Sequence, residues 1–159
     1  MNTNSMARGR IGRRVLSGLF LLPSWFAPHT ILRVFFHRLR GVKVGKKVEI
    51  GYFCVIDNVH PDLITIEDGA VIATGAVILA HDNSYFYSQG THVKHAPVVI
   101  KKKAFIGTHA VITPGVTVGE RAIVGCVSVV LSDVPANSVV GGIPARILKK
   151  NGNNENPEY

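Results

Sequence analysis

The stretch from Ile100 to Val130 reads I-K-K-K-A-F-I-G-T-H-A-V-I-T-P-G-V-T-V-G-E-R-A-I-V-G-C-V-S-V-V, with an aliphatic residue at every sixth position: Ile100, Ile106, Ile112, Val118, Val124 and Val130. Working back toward the N-terminus, the same period runs through Val44, Ile50 and Ile56 and then Ile66, Ile72 and Ile78. The residue after the aliphatic one is often small or turn-forming (Gly45, Gly51, Ala73, Gly107, Gly119, Gly125). The fourth after it is nearly always small (Ala70, Ala76, Ala104, Ala110, Ala122, Ser128). A three-sided coil needs this pattern: one aliphatic side chain pointing inward per side, and a small one where the interior narrows. A residue tolerant of positive φ is expected to turn each corner. Stacked coils satisfy one another's backbone and merge their aliphatic columns into one core. The twelve hexads make about four coils of parallel β-helix. A sandwich of ordinary strands would need alternation and hairpin turns, and no Asn-Gly or Asp-Gly turn separates these segments.

Two breaks interrupt the period. The first, His60 to Thr65, inserts a few residues; the second, roughly 80–99, ejects a loop carrying His81, Asp82, Tyr85, Tyr87, His92 and His95. Loops ejected from a rigid scaffold are where binding and catalysis concentrate. The expected organisation is a basic, amphipathic helical arm over 1–43, the β-helix over 44–143, and a short C-terminal helix with a polar tail over 144–159.

Composition sets bounds on function. Of 18 Lys and Arg, ten fall in residues 1–48, which hold no acid. Anionic headgroups and nucleic acid are both conceivable partners of such a segment, but no recognition motif or interleaved aromatic pattern accompanies it, so nucleic acid is not expected. The apolar run from Val15 to Ala27 is too short, and interrupted by Pro23, to span a bilayer as a helix. No small-x-small cleavage site follows it, so a secretory signal is not expected either. Over 31–40, Ile31, Leu32, Phe35, Phe36 and Leu39 share one helical face. That face either lies on a membrane surface, giving peripheral contact through residues 8–40, or caps the core. Cys54 and Cys126, 72 residues apart, suggest neither a disulfide framework nor a zinc finger and fit a reducing cytoplasm. The expected location is therefore the cytoplasm, with the inner face of the cell membrane in reach of the arm.

Phe105-Ile106-Gly107-Thr108 followed by Ile112-Thr113-Pro114-Gly115-Val116-Thr117-Val118-Gly119 resembles the W-I-G-S and I-x-P-G-V-T-I-G signatures of the hexapeptide-repeat transferases. Ser128-Val129-Val130, Asp133-Val134-Pro135, Asn137 and Gly142-Ile143-Pro144-Ala145-Arg146 resemble that superfamily's S-V-V, D-I-P, N and G-x-P-A-R. Within it, the chain is similar to the galactoside, maltose and xenobiotic O-acetyltransferases and to transferases of surface-polysaccharide pathways. The resemblance covers about 44–149 and implies an all-β, left-handed parallel β-helix. It also implies a homotrimer with active sites between subunits, acetyl-CoA as acyl donor, no metal, and direct transfer to a hydroxyl in a ternary complex.

By position, the resemblance makes His81, 27 residues before Thr108, the general base. A hydroxyl is a poor nucleophile, and a neutral imidazole can take its proton as it attacks the thioester carbonyl. Thr108, through its hydroxyl or its N–H, would stabilise the oxyanion and meet the coenzyme. Cys126 matches a small residue lining the coenzyme channel, and Arg146 and Lys149 would meet the coenzyme phosphates. Asp57, Asp62 and Tyr85 are the candidates for binding the acceptor, expected to be a sugar or saccharide precursor. Phe105 stands where the superfamily has tryptophan, and Leu131-Ser132 where a threonine and lysine often touch the nucleotide.

Two other classes use this scaffold. A zinc enzyme resembling the γ-class carbonic anhydrases needs three histidines at fixed coil positions, whereas His92 and His95 fall in the irregular loop and Thr108 holds a key position. A non-catalytic trimeric β-helix is the other, because a fold alone never proves activity.

Overall fold

The computed structural model of the chain describes residues 18–91 and 93–150. Arg8, Arg10, Arg13 and Arg14 of the basic arm, His92 and the tail from Asn151 lie outside the described residues.

Each hexad forms a two- or three-residue strand followed by a corner, and the strands fall into three sheets. The first holds β1 (Lys43–Val44), β4 (Ile64–Ile66), β9 (Val98–Ile100) and β12 (Thr117–Val118). The second holds β2 (Glu49–Ile50), β5 (Val71–Ile72), β10 (Phe105–Ile106), β13 (Ile123–Val124), β15 (Ser138–Gly141) and β16 (Arg146–Lys150). The third holds β3 (Val55–Ile56), β6 (Val77–Ile78), β11 (Val111–Ile112) and β14 (Val129–Val130). The chain visits them in rotation, and all coil-to-coil pairings are parallel. This is a left-handed parallel β-helix.

Register follows from the aliphatic period. Ile50, Ile72, Ile106, Val124 and Val140 stack in one column. Ile56, Ile78, Ile112 and Val130 form a second. Ala70, Ala76, Ala104, Ala110 and Ala122 sit with them, without solvent exposure. The corners differ from the sequence expectation in one respect. The left-handed residue is not the glycine after the aliphatic position but the residue two places further on, which is usually not glycine: Lys47, Phe53, His109, Arg121 and Val127. Glycine follows the aliphatic residue for a different reason. A Cβ on Gly107 would come within 2.6 Å of the Cys126 nitrogen and 2.7 Å of the Gly125 carbonyl carbon, so two coils approach there too closely for any side chain.

The N-terminal arm forms helix α1 (Leu21–Phe26) and helix α2 (Thr30–Leu39). Helix α2 caps the first coil, but with the face opposite to the one expected: Arg33, Val34, His37 and the following Arg40 are buried, while Ile31, Leu32, Phe35 and Leu39 are exposed. The reason is that the first coil ends in three open sheet edges, and an edge needs hydrogen-bond partners rather than apolar contact. Arg38 Nε donates to the Val44 carbonyl of the first sheet at 3.2 Å. In the second sheet Arg33 Nε donates to Ile50 O at 2.7 Å, and Ile50 N–H donates to Thr30 Oγ1 at 3.0 Å. In the third, Arg40 Nη2 donates to Ile56 O at 2.9 Å. One helix thus closes all three edges with its polar side.

At the other end the described residues of the expected C-terminal helix form a strand instead: Arg146–Lys150 is β16, antiparallel to β15, with Val140 opposite Ile147 and Gly141 opposite Arg146. The edge of β15 again explains this, since the returning chain supplies the partners that no further coil provides.

Candidate active site

The site is built around Asp57, which directly follows β3. Its carboxylate is fully buried, yet it accepts four hydrogen bonds. Oδ1 takes the N–H groups of Val59 and His60, both at 2.8 Å. Oδ2 takes the Ala80 N–H at 2.7 Å and His81 Nδ1 at 2.5 Å. Burial alone would raise the pKa of this carboxyl, but the donors from His60, Ala80, His81 and Val59 outweigh it and hold the carboxyl below its ordinary value. With Asp57 ionised, Nδ1 is the nitrogen that donates to it, so in the neutral imidazole Nε2 is the acceptor.

The first break in the repeat makes this possible. It turns the chain after Asp57 through the 3-10 segment Pro61–Leu63 and so brings the Val59 and His60 N–H groups onto the carboxylate. The second break has as its stem the antiparallel pair β7 (His81–Asp82) and β8 (Lys94–His95), and helix α3 (Ser84–Gln89) lies between the two strands. His81 and His95 face each other in this stem. The His60 ring lies edge-on to that of His95, with centroids 4.3 Å apart, and 6.1 Å from that of His81. Burial, and secondarily the neighbouring His95, lower the pKa of His60.

Behind the site, Arg40 reaches from the cap to the Asp57 carbonyl and Asn58 Oδ1, both at 3.0 Å. Burial lowers its pKa to about 10, with the Asp57 charge opposing, so the guanidinium stays charged at neutral pH. His37 accepts from Arg40 Nη1 through Nδ1 at 3.0 Å, and burial together with Arg40 and Arg33 lowers its pKa to about 3.

The expected site residues divide into separate places. Asp57 holds His81 from behind rather than facing outward to an acceptor, because both its carboxylate oxygens are engaged below the surface. Asp62 is exposed on the 3-10 segment, and Tyr85 is exposed on α3. Thr108 and Cys126 lie on another edge of the prism, at the corners after β10 and β13. Val127 N–H donates to Thr108 O at 2.8 Å, which fixes these corners one above the other. His81 follows the third sheet and Thr108 precedes it, so a single chain does not bring them together. Arg146 and Lys149 are exposed on β16. A shallow depression bordered by Thr30, Arg33, Glu49, Thr74 and Thr108 lies outside the second sheet and includes neither Asp57 nor His81. Among the described residues, no three His, Cys, Asp or Glu side chains converge as metal ligands.

Sequence reasoning missed the roles of His60, His95 and Arg40. The two histidines were visible only as members of the breaks, and Arg40 as one more cation of a basic arm.

No family model matches the chain. It is 32% identical over 138 residues to WcaF of Escherichia coli K12, which bears the name of a colanic acid biosynthesis acetyltransferase; the match covers 74% of each chain. It is 28% identical over 119 residues to galactoside O-acetyltransferase of the same organism, covering 74% of this chain and 58% of that one. The chain thus spans little more than half the length of the galactoside enzyme. Among solved structures, a hexapeptide-repeat acetyltransferase from Vibrio cholerae, complexed with acetyl coenzyme A, superposes with a TM-score of 0.67 at 28% identity over 87% of both chains. With its repeat, its coil geometry and these relatives, the chain belongs to the hexapeptide-repeat acetyltransferases.

Proposed function

We propose that the chain transfers an acetyl group from acetyl-CoA to a hydroxyl of a sugar or saccharide precursor, with His81 as general base. The observation that carries this reading is the Asp57–His81 pair, with Nδ1 held at 2.5 Å from a buried, ionised carboxylate. In the ternary complex Nε2 accepts the proton of the acceptor hydroxyl as its oxygen attacks the thioester carbonyl. The tetrahedral intermediate then expels the coenzyme A thiolate, and the imidazolium returns the proton to that sulfur. Asp57 keeps the imidazole in the required tautomer and stabilises the cation formed in transit, as in other carboxylate–histidine arrangements.

The resemblance assigns the oxyanion donor to Thr108. Because His81 and Thr108 flank the third sheet on different edges, a site that uses both is built from two subunits of a homotrimer. Coenzyme A would then run along the Thr108 edge past Cys126 toward Arg146 and Lys149. Asp62 and Tyr85, exposed near the His81 side, are left as acceptor contacts. A coenzyme A donor places this reaction in the cytoplasm.

The test is acceptor-dependent thiol release from acetyl-CoA, with neutral sugars, amino sugars, chloramphenicol and polysaccharide repeat units as acceptors and the products identified by mass spectrometry. An O-acetyl ester on a saccharide supports the reading. Products carrying only an N-acetyl group refute the hydroxyl acceptor, and a lack of turnover with every acceptor favours the scaffold.

A further inference from the structure

Helix α2 spends its polar face on the sheet edges of the first coil, and the consequence falls on its other side. Ile31, at 68% exposure, Phe35 at 50% and Leu39 at 37% form one outward stripe at helical spacing. Helix α1 packs beside α2, with the rings of Phe20 and Phe36 stacked at 5.9 Å, and adds Leu22 at 62% and Phe26 at 58%. The patch continues onto the coil through Phe53, which meets Phe26 edge-on at 5.2 Å. Large apolar side chains this contiguous are uncommon on the free surface of a soluble protein, and they mark an interaction site.

Charge identifies the partner. Residues 1–48 contain ten Lys and Arg and no Asp or Glu, whereas the rest of the chain has eight against ten. Arg33 and Arg40 are buried in the cap, and the other eight surround the hairpin in sequence: four before it, Arg38 within α2, and Lys43, Lys46 and Lys47 directly after it. An apolar stripe on a segment that carries ten cations and, before Glu49, no acid is complementary to an anionic lipid surface, where the side chains enter the acyl boundary and the cations meet headgroups. We infer that the α1–α2 hairpin docks the enzyme on an anionic membrane, with the β-helix fastened to it through the guanidinium contacts of the cap. Neither helix is long and apolar enough to cross a membrane, so the contact is peripheral.

The experiment is co-sedimentation of the full chain with vesicles of phosphatidylcholine alone or mixed with phosphatidylglycerol, for the wild type and for I31E/F35E. Wild type is expected to partition onto the mixed vesicles only, less so as salt is raised. The double variant is expected to lose at least about tenfold in partition, with unchanged circular dichroism and unchanged mass by light scattering. A milder variant, Phe35→Ser, should fall between the two if the glutamates disturb folding. Wild type that stays in the supernatant with both vesicles overturns the inference. So does a double variant with altered mass, which would mean that a second copy of the chain covers the stripe. Neither readout depends on acetyl transfer, so this inference and the proposed activity fail separately.

Discussion

Asp57 and His37 are two buried titratable side chains whose protonation the fold sets in opposite ways. Asp57 is held ionised by three backbone N–H groups and His81. His37 is held neutral by burial and by two neighbouring guanidinium groups, with its pKa lowered to about 3. The unfolded chain binds a proton at this histidine below its ordinary pKa of 6.5 while the native chain does not, so stability falls as pH drops from 6.5 toward 3. Between pH 6.5 and 5 this amounts to about 2 kcal/mol. Asp57 contributes nothing over that window, because its lowered pKa leaves it ionised in both states. Urea unfolding at pH 7 and pH 5 should show the loss in the wild type and a smaller one in His37→Gln; equal slopes would refute the assignment. At this scale the sequence was only partly legible. His81 emerged from its position relative to Thr108 in a recognised signature, but Asp57 was read as a contact for the acceptor and not as the partner of His81. Its burial depends on a turn at His60 to Leu63 that the repeat registers only as an interruption.

The strand-and-corner hexad was the most legible element, because one aliphatic and one small position per six residues leave few other ways to close a core. Its glycines were read with the wrong cause. The left-handed corner lies two residues later and tolerates Lys, His and Val, whereas Gly107 is required by the approach of the next coil to 2.6 Å from where a Cβ would stand. Gly107→Ala should therefore cost about 1–3 kcal/mol or more, since backbone cannot yield as a flexible side chain would. Thermal unfolding is the check, and an unchanged midpoint would contradict this packing. The terminal elements were the least legible, for a shared reason. Helical periodicity identifies an apolar face but assumes that it meets an apolar partner. Here the partner of α2 is a set of sheet edges, which require donors, so the arginines turn inward and the apolar stripe outward. The same demand draws residues 146–150 into a strand on β15.

On the scale of the whole molecule, one prism carries the candidate site residues on two distinct edges. The edge after the third sheet holds His81 and the Asp57 carboxylate with His60 and His95, and the edge before it holds Thr108 and Cys126. No sequence period reveals this separation, because it arises from the rotation of the chain through three sheets. The signatures that suggest the superfamily run from Phe105 onward through all three sheets, while Asp57, which holds His81, lies outside them. In the proposed mechanism His81, held by Asp57, takes the acceptor proton. The most direct test of this step is the rate of thiol release from acetyl-CoA, with an acceptor that supports turnover, in wild type, His81→Ala and Asp57→Asn. Loss of kcat by about a hundredfold or more in His81→Ala is predicted, the scale of a missing general base, with a smaller loss in Asp57→Asn and little change in KM for acetyl-CoA. Undiminished turnover in His81→Ala would contradict the account.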